Sequence, residues 1–498
     1  LAAPPEPDPD LDAWLRAGAG ADEPCEKVVS TSISWVYLYP SRVLKLKKPV
    51  DFGFLDFTTP DKRRWAAERE LAFNRATAPD IYRAVLPVVR AGDGFRLGGA
   101  GEPAVDWLLE MARFDESCVL SERPEAVGGD FAESLGREIA RFHAAAQVSQ
   151  RTGGIDKVGV SNAGHLRAFA EVLGPAEVAA LVEATAAEAA RRRSLLAARQ
   201  AAGMVRGCHG DLHLGNILMQ DGRAVLFDCI EFSDAYREID VLYDLAFLLM
   251  DLWFRGRGEA ASRALNGWLD EAARTFGDAA YTGLAALPLF QSVRAAVRAH
   301  VSAHAGDAET ARAYVAAARA HLAPAPARLF AVGGLSGSGK TTFARALAPL
   351  VGRAPGAVVL RSDEIRKRLW GRAPTDRLPP QAYAAGESGR VYGEMLRLAG
   401  LALAAGCAVV LDAVFLKPDE RAAAEALARA AGVRFTGVWL EAPADTLRAR
   451  VAARTSDASD ADVKVLERQL ALDPGAVGWT VKGGDLAAAA RAAAAEPA

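Results

Sequence analysis

The stretch Gly334-Leu335-Ser336-Gly337-Ser338-Gly339-Lys340-Thr341 leaves this chain less structural freedom than any other. It satisfies G-x-x-x-x-G-K-[ST] in full, and both neighbours that such a loop requires are present. An apolar run from Arg328 to Val332 reads as a buried strand before it, and a helical pattern from Phe343 to Leu350 follows it. The glycines let backbone N–H groups approach a phosphate, Lys340 reaches the β and γ oxygens, and the Thr341 hydroxyl holds magnesium. Gly334, Ser336, Gly337, Ser338, Gly339 and Thr342 complete the candidate nucleotide-binding loop. Residues 328–498 are therefore expected to form an α/β P-loop domain with a parallel sheet.

Two further strands in this part end in carboxylates. Ala357–Leu360 runs into Arg361-Ser362-Asp363-Glu364-Ile365-Arg366, and Ala408–Leu411 into Asp412, with Phe415, Pro418 and Arg421 beyond. Ligands bind at such strand ends in parallel sheets. A strand at Val438–Leu440 leads to Arg450 and Arg454, which share one helix face and could offer charge to a transferring phosphoryl group or simply solvate the helix. The segment resembles the P-loop kinases grouped with phage polynucleotide kinase, chloramphenicol phosphotransferase, gluconate kinase and zeta toxins. That resemblance implies Asp363 as base, Arg366 and Arg421 on the acceptor side, Asp412 as the acid near magnesium, and Arg454 with Arg450 as lid arginines.

A second chemical signature lies far upstream. His209-Gly210-Asp211-Leu212-His213-Leu214-Gly215-Asn216 is flanked by short apolar strands, and an Asp221-Gly222 turn folds the chain back to Asp228. Phosphoryl transfer uses one carboxylate to accept a hydroxyl proton, and an amide with a second carboxylate to hold magnesium. The spacing H-x-D-x-x-x-x-N is that of a kinase catalytic loop, so Asp211 is the candidate base and Asn216 and Asp228 the candidate metal ligands. The signature also resembles that of the aminoglycoside phosphotransferase and choline kinase superfamily, which implies a small-molecule kinase with a bilobal, protein-kinase-like α+β fold. Asp51-Phe52-Gly53 spells the kinase metal motif, but it precedes the catalytic loop and is a decoy.

Upstream, Ser34–Tyr39 and Arg42–Leu46 read as strands, and a helix starts near Thr59-Pro60. Strand lysine followed by helix glutamate is the order of a kinase N-lobe. It points to Lys45 with Glu70, with Lys47 and Glu68 as alternates, and to Glu110-Met111-Ala112 as the hinge that meets adenine. No G-x-G-x-x-G precedes Lys45; Ser30-Thr31-Ser32 stands there. Asp130-x-x-Glu133 suggests a capping box opening a helix to His143.

The remaining bounds come from composition. A chain of 498 residues is too long for one core. Ala323-Pro324-Ala325-Pro326 is the clearest break, giving 1–322 (N-lobe about 11–112, C-lobe about 113–322), a linker at 323–327, and 328–498. A net charge of −3 without a basic and aromatic stripe disfavours a nucleic-acid partner. No apolar run is long enough for a membrane span, and five scattered cysteines suit a reducing compartment, the cytoplasm. The Pro- and Asp-rich start lacks the pattern of a signal peptide and reads as a loose arm. The expectation is a bifunctional kinase using ATP and Mg2+ on small-molecule hydroxyl acceptors. The alternative is one kinase regulated by a P-loop domain that senses ATP.

Overall fold

The computed structural model describes residues 5–53, 55–99, 101–151, 154–453 and 458–496. By its contacts the chain divides into two compact units: Leu1–Ala126 with Gln147–Gly154 and Val205–Ile239, and Val127–Ala146 with Ile155–Met204 and Asp240–Ala498.

The first unit is built on a six-stranded antiparallel sheet of order β1-β2-β3-β6-β4-β5. Its strands are β1 Lys27–Ser30, β2 Ser34–Leu38, β3 Arg42–Lys47, β4 Tyr82–Ala91, β5 Gly94–Leu97 and β6 Asp106–Ala112. The helix Pro60–Asn74 has the expected start, with Thr59 Oγ1 accepting from the Lys62 N–H and Pro60 in the first turn. The chain start differs from expectation. Asp8 accepts from the N–H groups of Asp10 and Leu11 and so caps a helix Pro9–Arg16, whose Leu11 and Leu15 are buried with Tyr37, Tyr39 and Leu44. Two buried leucines contribute roughly 3–6 kcal/mol by removal from water, enough to hold a segment that its prolines alone would mark as loose. The strand β7 Val205–Gly207 enters the His209–Asn216 stretch, and β8 Ile217–Gln220 and β9 Arg223–Leu226 leave it as a hairpin. Positive φ at Asp221 and Gly222, 50° and 74°, makes its two-residue turn. A short β10 Glu238–Asp240 follows.

The second unit holds a helical array and a parallel sheet. Helix Gly129–Ala145 crosses helix Gly258–Phe276 at two glycines: a Cβ on Gly136 would lie 2.1 Å from the Ala264 carbonyl oxygen, and one on Gly267 2.2 Å from that of Glu133. Only glycine allows backbones this close. No capping box forms, for Gly128 stands at the N-cap without a side-chain bond and Glu133 is drawn instead to Arg263 and Arg345. His143 is a packed histidine: its Nδ1 accepts from Trp268 Nε1 at 3.1 Å and its Nε2 faces Asp244 at 3.1 Å. After Leu322 no helix or strand occupies 324–327, and the sheet begins. Its strands β11 Arg328–Gly334, β12 Val358–Arg361, β13 Val409–Asp412, β14 Arg434–Leu440 and β15 Thr480–Lys482 are all parallel, in the order β12-β13-β11-β14-β15. Helix Lys340–Leu347 starts directly at the loop lysine, three residues before the apolar pattern had suggested.

Candidate functional sites

In the first unit, alternation along β3 turns Lys45 and Lys47 to the same side, and helix Pro60–Asn74 buries Glu70 between them. Lys45 Nζ donates to Glu70 Oε1 at 2.7 Å and to Asp228 Oδ1 at 2.9 Å. Lys47 Nζ donates to Glu70 Oε2 at 2.6 Å and to Glu231. Of the two lysines, Lys45 is the one that meets Asp228, while Lys47 is 2% exposed and closes the cluster from behind. Burial would raise the Glu70 carboxyl, but Lys45 and Lys47 overcome it and hold the group at about 2. At Glu231 burial outweighs the opposing charges of Lys47 and Lys45 and pushes the carboxyl up, with the charge of Glu70 adding to the effect. Glu68 takes no part; it pairs with Arg64 at the surface.

The stretch from His209 to Asn216 is braced by its own side chains. Asn216 Nδ2 donates to both the carbonyl and the Oδ2 of Asp211, each at 2.9 Å. His213 Nδ1 accepts from the Gly215 N–H, which leaves its Nε2 to carry the proton, 3.4 Å from Asp211 Oδ2. His209 Nε2 lies 2.9 Å from the Phe227 carbonyl and ties the loop to the residue before Asp228, whose φ is 61° and whose N–H donates to Tyr82 Oη. Asp211 and Asn216 are thus bonded to each other, and the Phe227 N–H donates to the Asn216 carbonyl at 3.1 Å, next to Asp228. Glu110 and Met111 sit differently from expectation. Both lie inside β6 with strand partners on either side, Leu44 and Ala84, and Val43 and Tyr82. The register with β4 shifts between Tyr82 and Ala84, the partners beside them, and the chain leaves the sheet at Arg113 and Phe114. Asp51 makes a local turn, accepting from the Gly53 N–H.

In the second unit the P-loop lines a cleft of about 1130 Å³ together with Asp363, Arg366, Asp412 and Arg450. Gly334 has φ 136°, and a Cβ there would lie 2.5 Å from the Leu440 carbonyl oxygen, so the first loop position requires glycine. Thr341 Oγ1 donates to Asp412 Oδ2 at 2.7 Å, a hydroxyl beside a carboxylate, which is the donor set that magnesium takes next to a nucleotide phosphate. Ser338 Oγ is buried without a partner among the described residues, as a loop shaped around a phosphate would leave it. Asp363 opens the helix Ser362–Leu369 at the end of the neighbouring strand; burial raises its carboxyl, Asp412 adds to this, and Arg361 and Lys340 oppose it. Arg366 lines the cleft, donating to the Ala382 carbonyl and lying over the Tyr383 ring. Arg450 donates to the Gly337 carbonyl at 3.3 Å.

Arg421 is not on the acceptor side. Buried, it donates to the carbonyls of Phe415, Leu416, Pro474 and Ala476 and clamps two loops together. Arg454 lies outside the described residues. Spacing did not reveal Glu231, Arg361, Asp460 or Gln469. Asp460 ties Lys367, the Leu378 N–H and Tyr383 Oη, and Gln469 Oε1 accepts from the Ser336 N–H at 2.9 Å. Arg361 stood in the strand-end stretch but no role was read for it, and Asp460 stands in an acidic stretch with Asp457 and Asp462.

Two family models match different stretches of the chain. Residues 59–287 match the family model described as "Phosphotransferase enzyme family", and residues 329–473 the one described as "AAA domain". Uncharacterized proteins of Mycobacterium tuberculosis and Mycobacterium bovis are 32% identical over 477 residues, 92% of this chain and 92% of each relative. Solved structures that are similar include an ethanolamine kinase of Plasmodium vivax (9% identical, 60% of this chain and 82% of that one, TM-score 0.36). A choline/ethanolamine kinase family protein of Mesorhizobium loti (16%, 61% and 90%, TM-score 0.37) and a gluconokinase of Sinorhizobium meliloti (24%, 34% and 91%, TM-score 0.23) are others.

Proposed function

We propose that this chain, which belongs to the family of those mycobacterial proteins and is a kinase joining a phosphotransferase domain to a P-loop domain, transfers phosphate at two separate sites. Each site acts on a hydroxyl group of a small molecule and uses ATP with Mg2+. At the first, Lys45, held by Glu70, contacts the ATP phosphates. Asp228 and Asn216 hold the metal, and Asp211 takes the acceptor proton. At the second, the loop from Gly334 to Thr342 wraps the phosphates, Thr341 and Asp412 orient the metal, and Asp363 is the base. Arg366 and Arg450 supply positive charge on the acceptor and nucleotide sides. Residues 1–322 and 328–498 are the two domains, joined at 323–327.

One observation carries the two-site reading over a kinase with an ATP-sensing appendage: Asp363. A sensor needs the loop and its metal ligands, and those are met by Lys340, Thr341 and Asp412. It has no use for a further carboxylate, half-buried, raised and open to the same cleft on the next strand. The test is product analysis with a metabolite extract and labelled ATP. Asp211→Asn and Lys340→Ala should each abolish a different phosphorylated product. If either variant still makes every product, that site is not an independent enzyme.

A further inference from the structure

The strand β12 is the edge of the parallel sheet, and helix Gly258–Phe276 of the same unit lies against it. Asn266 acts there as a substitute strand: its Oδ1 accepts from the Val359 N–H at 2.7 Å and its Nδ2 donates to the Ala357 carbonyl at 3.2 Å. Beside this contact runs a chain of buried charges that ends in the P-loop site. Arg137, on helix Gly129–Ala145, donates to Asp270 through Nη1 and to Glu364 Oε1 through Nη2 at 3.0 Å. The same Glu364 oxygen accepts from Arg361 Nη1 at 2.9 Å. Arg361 then reaches Thr341 Oγ1 with Nη2 at 3.3 Å, and its Nε lies 3.4 Å from Asp412 Oδ2.

We infer that Arg137, from the phosphotransferase segment, is a positioning residue for the P-loop site: it occupies Glu364 so that Arg361 stays on Thr341 and Asp412. The inference rests on the reading of Thr341 and Asp412 as the metal-side pair. Arg361 is shared by two buried carboxylates, and a guanidinium goes where uncompensated charge is greatest. With Arg137 present, Glu364 has a second cation. Without it, Glu364 has Arg361 alone, and the pull draws that side chain away from the hydroxyl and carboxylate it orients. The other partners of Arg137 remain paired, Asp270 with Arg368 and Glu133 with Arg263 and Arg345. The interface itself therefore survives the loss. It follows that residues 328–498 do not contain everything the second site needs.

The experiment uses the full chain with the first site disabled by Lys45→Met, and measures ATP affinity by calorimetry with and without Mg2+. In Arg137→Met the gain in affinity that Mg2+ confers should fall about tenfold, while metal-free ATP binding stays within about twofold. Adding Glu364→Gln removes the pull on Arg361 and should restore the gain. Arg137→Lys cannot fork between Asp270 and Glu364. It should lose about threefold or more, again reversed by Glu364→Gln, and it serves if the methionine variant does not fold. An unchanged Mg2+ gain in the Arg137 variants, or a loss that Glu364→Gln fails to reverse, overturns the proposal while leaving the site reading intact. If Lys340→Ala does not remove ATP binding in the same background, the site reading itself falls and this inference with it.

Discussion

Replacing Glu70 with glutamine removes one charge from between two buried lysines and keeps the shape. Glu70 is 0% exposed, and its carboxyl stands at about 2 where a free one stands at 4.5. Burial pushes the value up, and Lys45 and Lys47 more than reverse it, so the charged form favours the folded first unit by roughly 3 kcal/mol. The sign follows from the depressed value: this stability is present above about pH 4.5 and is lost as pH falls toward about 2. Hydrogen exchange of the amides in β3 and in helix Pro60–Asn74 reads it locally, without assuming that the whole chain unfolds as one. At about pH 7 Glu70→Gln should exchange roughly 100-fold faster than the parent protein, and at about pH 3 only roughly tenfold faster. Glu231→Gln should show a much smaller gap, because burial raises that carboxyl and Lys47 keeps Glu70 in either case. A gap for Glu70→Gln that is the same at both pH values would refute the assignment of its stability to charge.

At the P-loop site, Asp363→Asn should leave Mg-ATP affinity within a few-fold and lower transfer by roughly 100-fold or more, whereas Asp412→Asn should weaken the Mg2+ dependence of ATP binding. Because burial raises the Asp363 carboxyl, the rate at this site should fall on the acid side over a pH range above the ordinary 3.8, and pH–rate profiles should lose that limb in Asp363→Asn. Gly334→Ala forces a methyl to within 2.5 Å of the Leu440 carbonyl at a φ of 136°, and should abolish ATP binding at that site as seen by calorimetry. Arg421→Met strips four carbonyls of their donor; it should lower the midpoint of thermal unfolding while leaving the acceptor KM within about twofold, the reverse of what an acceptor-binding arginine would do.

Both loops were legible in the sequence because each constrains itself. The P-loop glycines, the Asp221-Gly222 turn and the pair Asp211 and Asn216 act within a few residues of one another, where spacing carries geometry. The residues that brace them act across the chain. Lys47 and Glu231 are 184 positions apart and Arg137 and Glu364 are 227 apart, so no periodicity links them. The helix Pro9–Arg16 was hidden by prolines that in fact precede or open it, since its two leucines have meaning only once the sheet beneath them exists. Arg421 shows the opposite failure: an arginine after a strand-end acid looked like a ligand residue, and the carbonyls it satisfies are invisible in sequence.

The same distinction bears on why the contact between helix Gly258–Phe276 and the parallel sheet is polar. An edge strand offers unpaired N–H and C=O groups to any passing chain, and an apolar cover would hide them without pairing them. Asn266 pairs both groups at once, and only in one register, because its amide must meet the Val359 N–H and the Ala357 carbonyl together. The ion chain through Arg137, Glu364 and Arg361 adds a second directional condition a few residues away. Buried ion pairs give little net stability, since desolvation offsets most of their attraction, but a displaced one is costly. A contact made this way discriminates against sliding more strongly than it resists separation. That is the property needed where Arg361, at the end of the paired strand, must keep its place against Thr341 and Asp412.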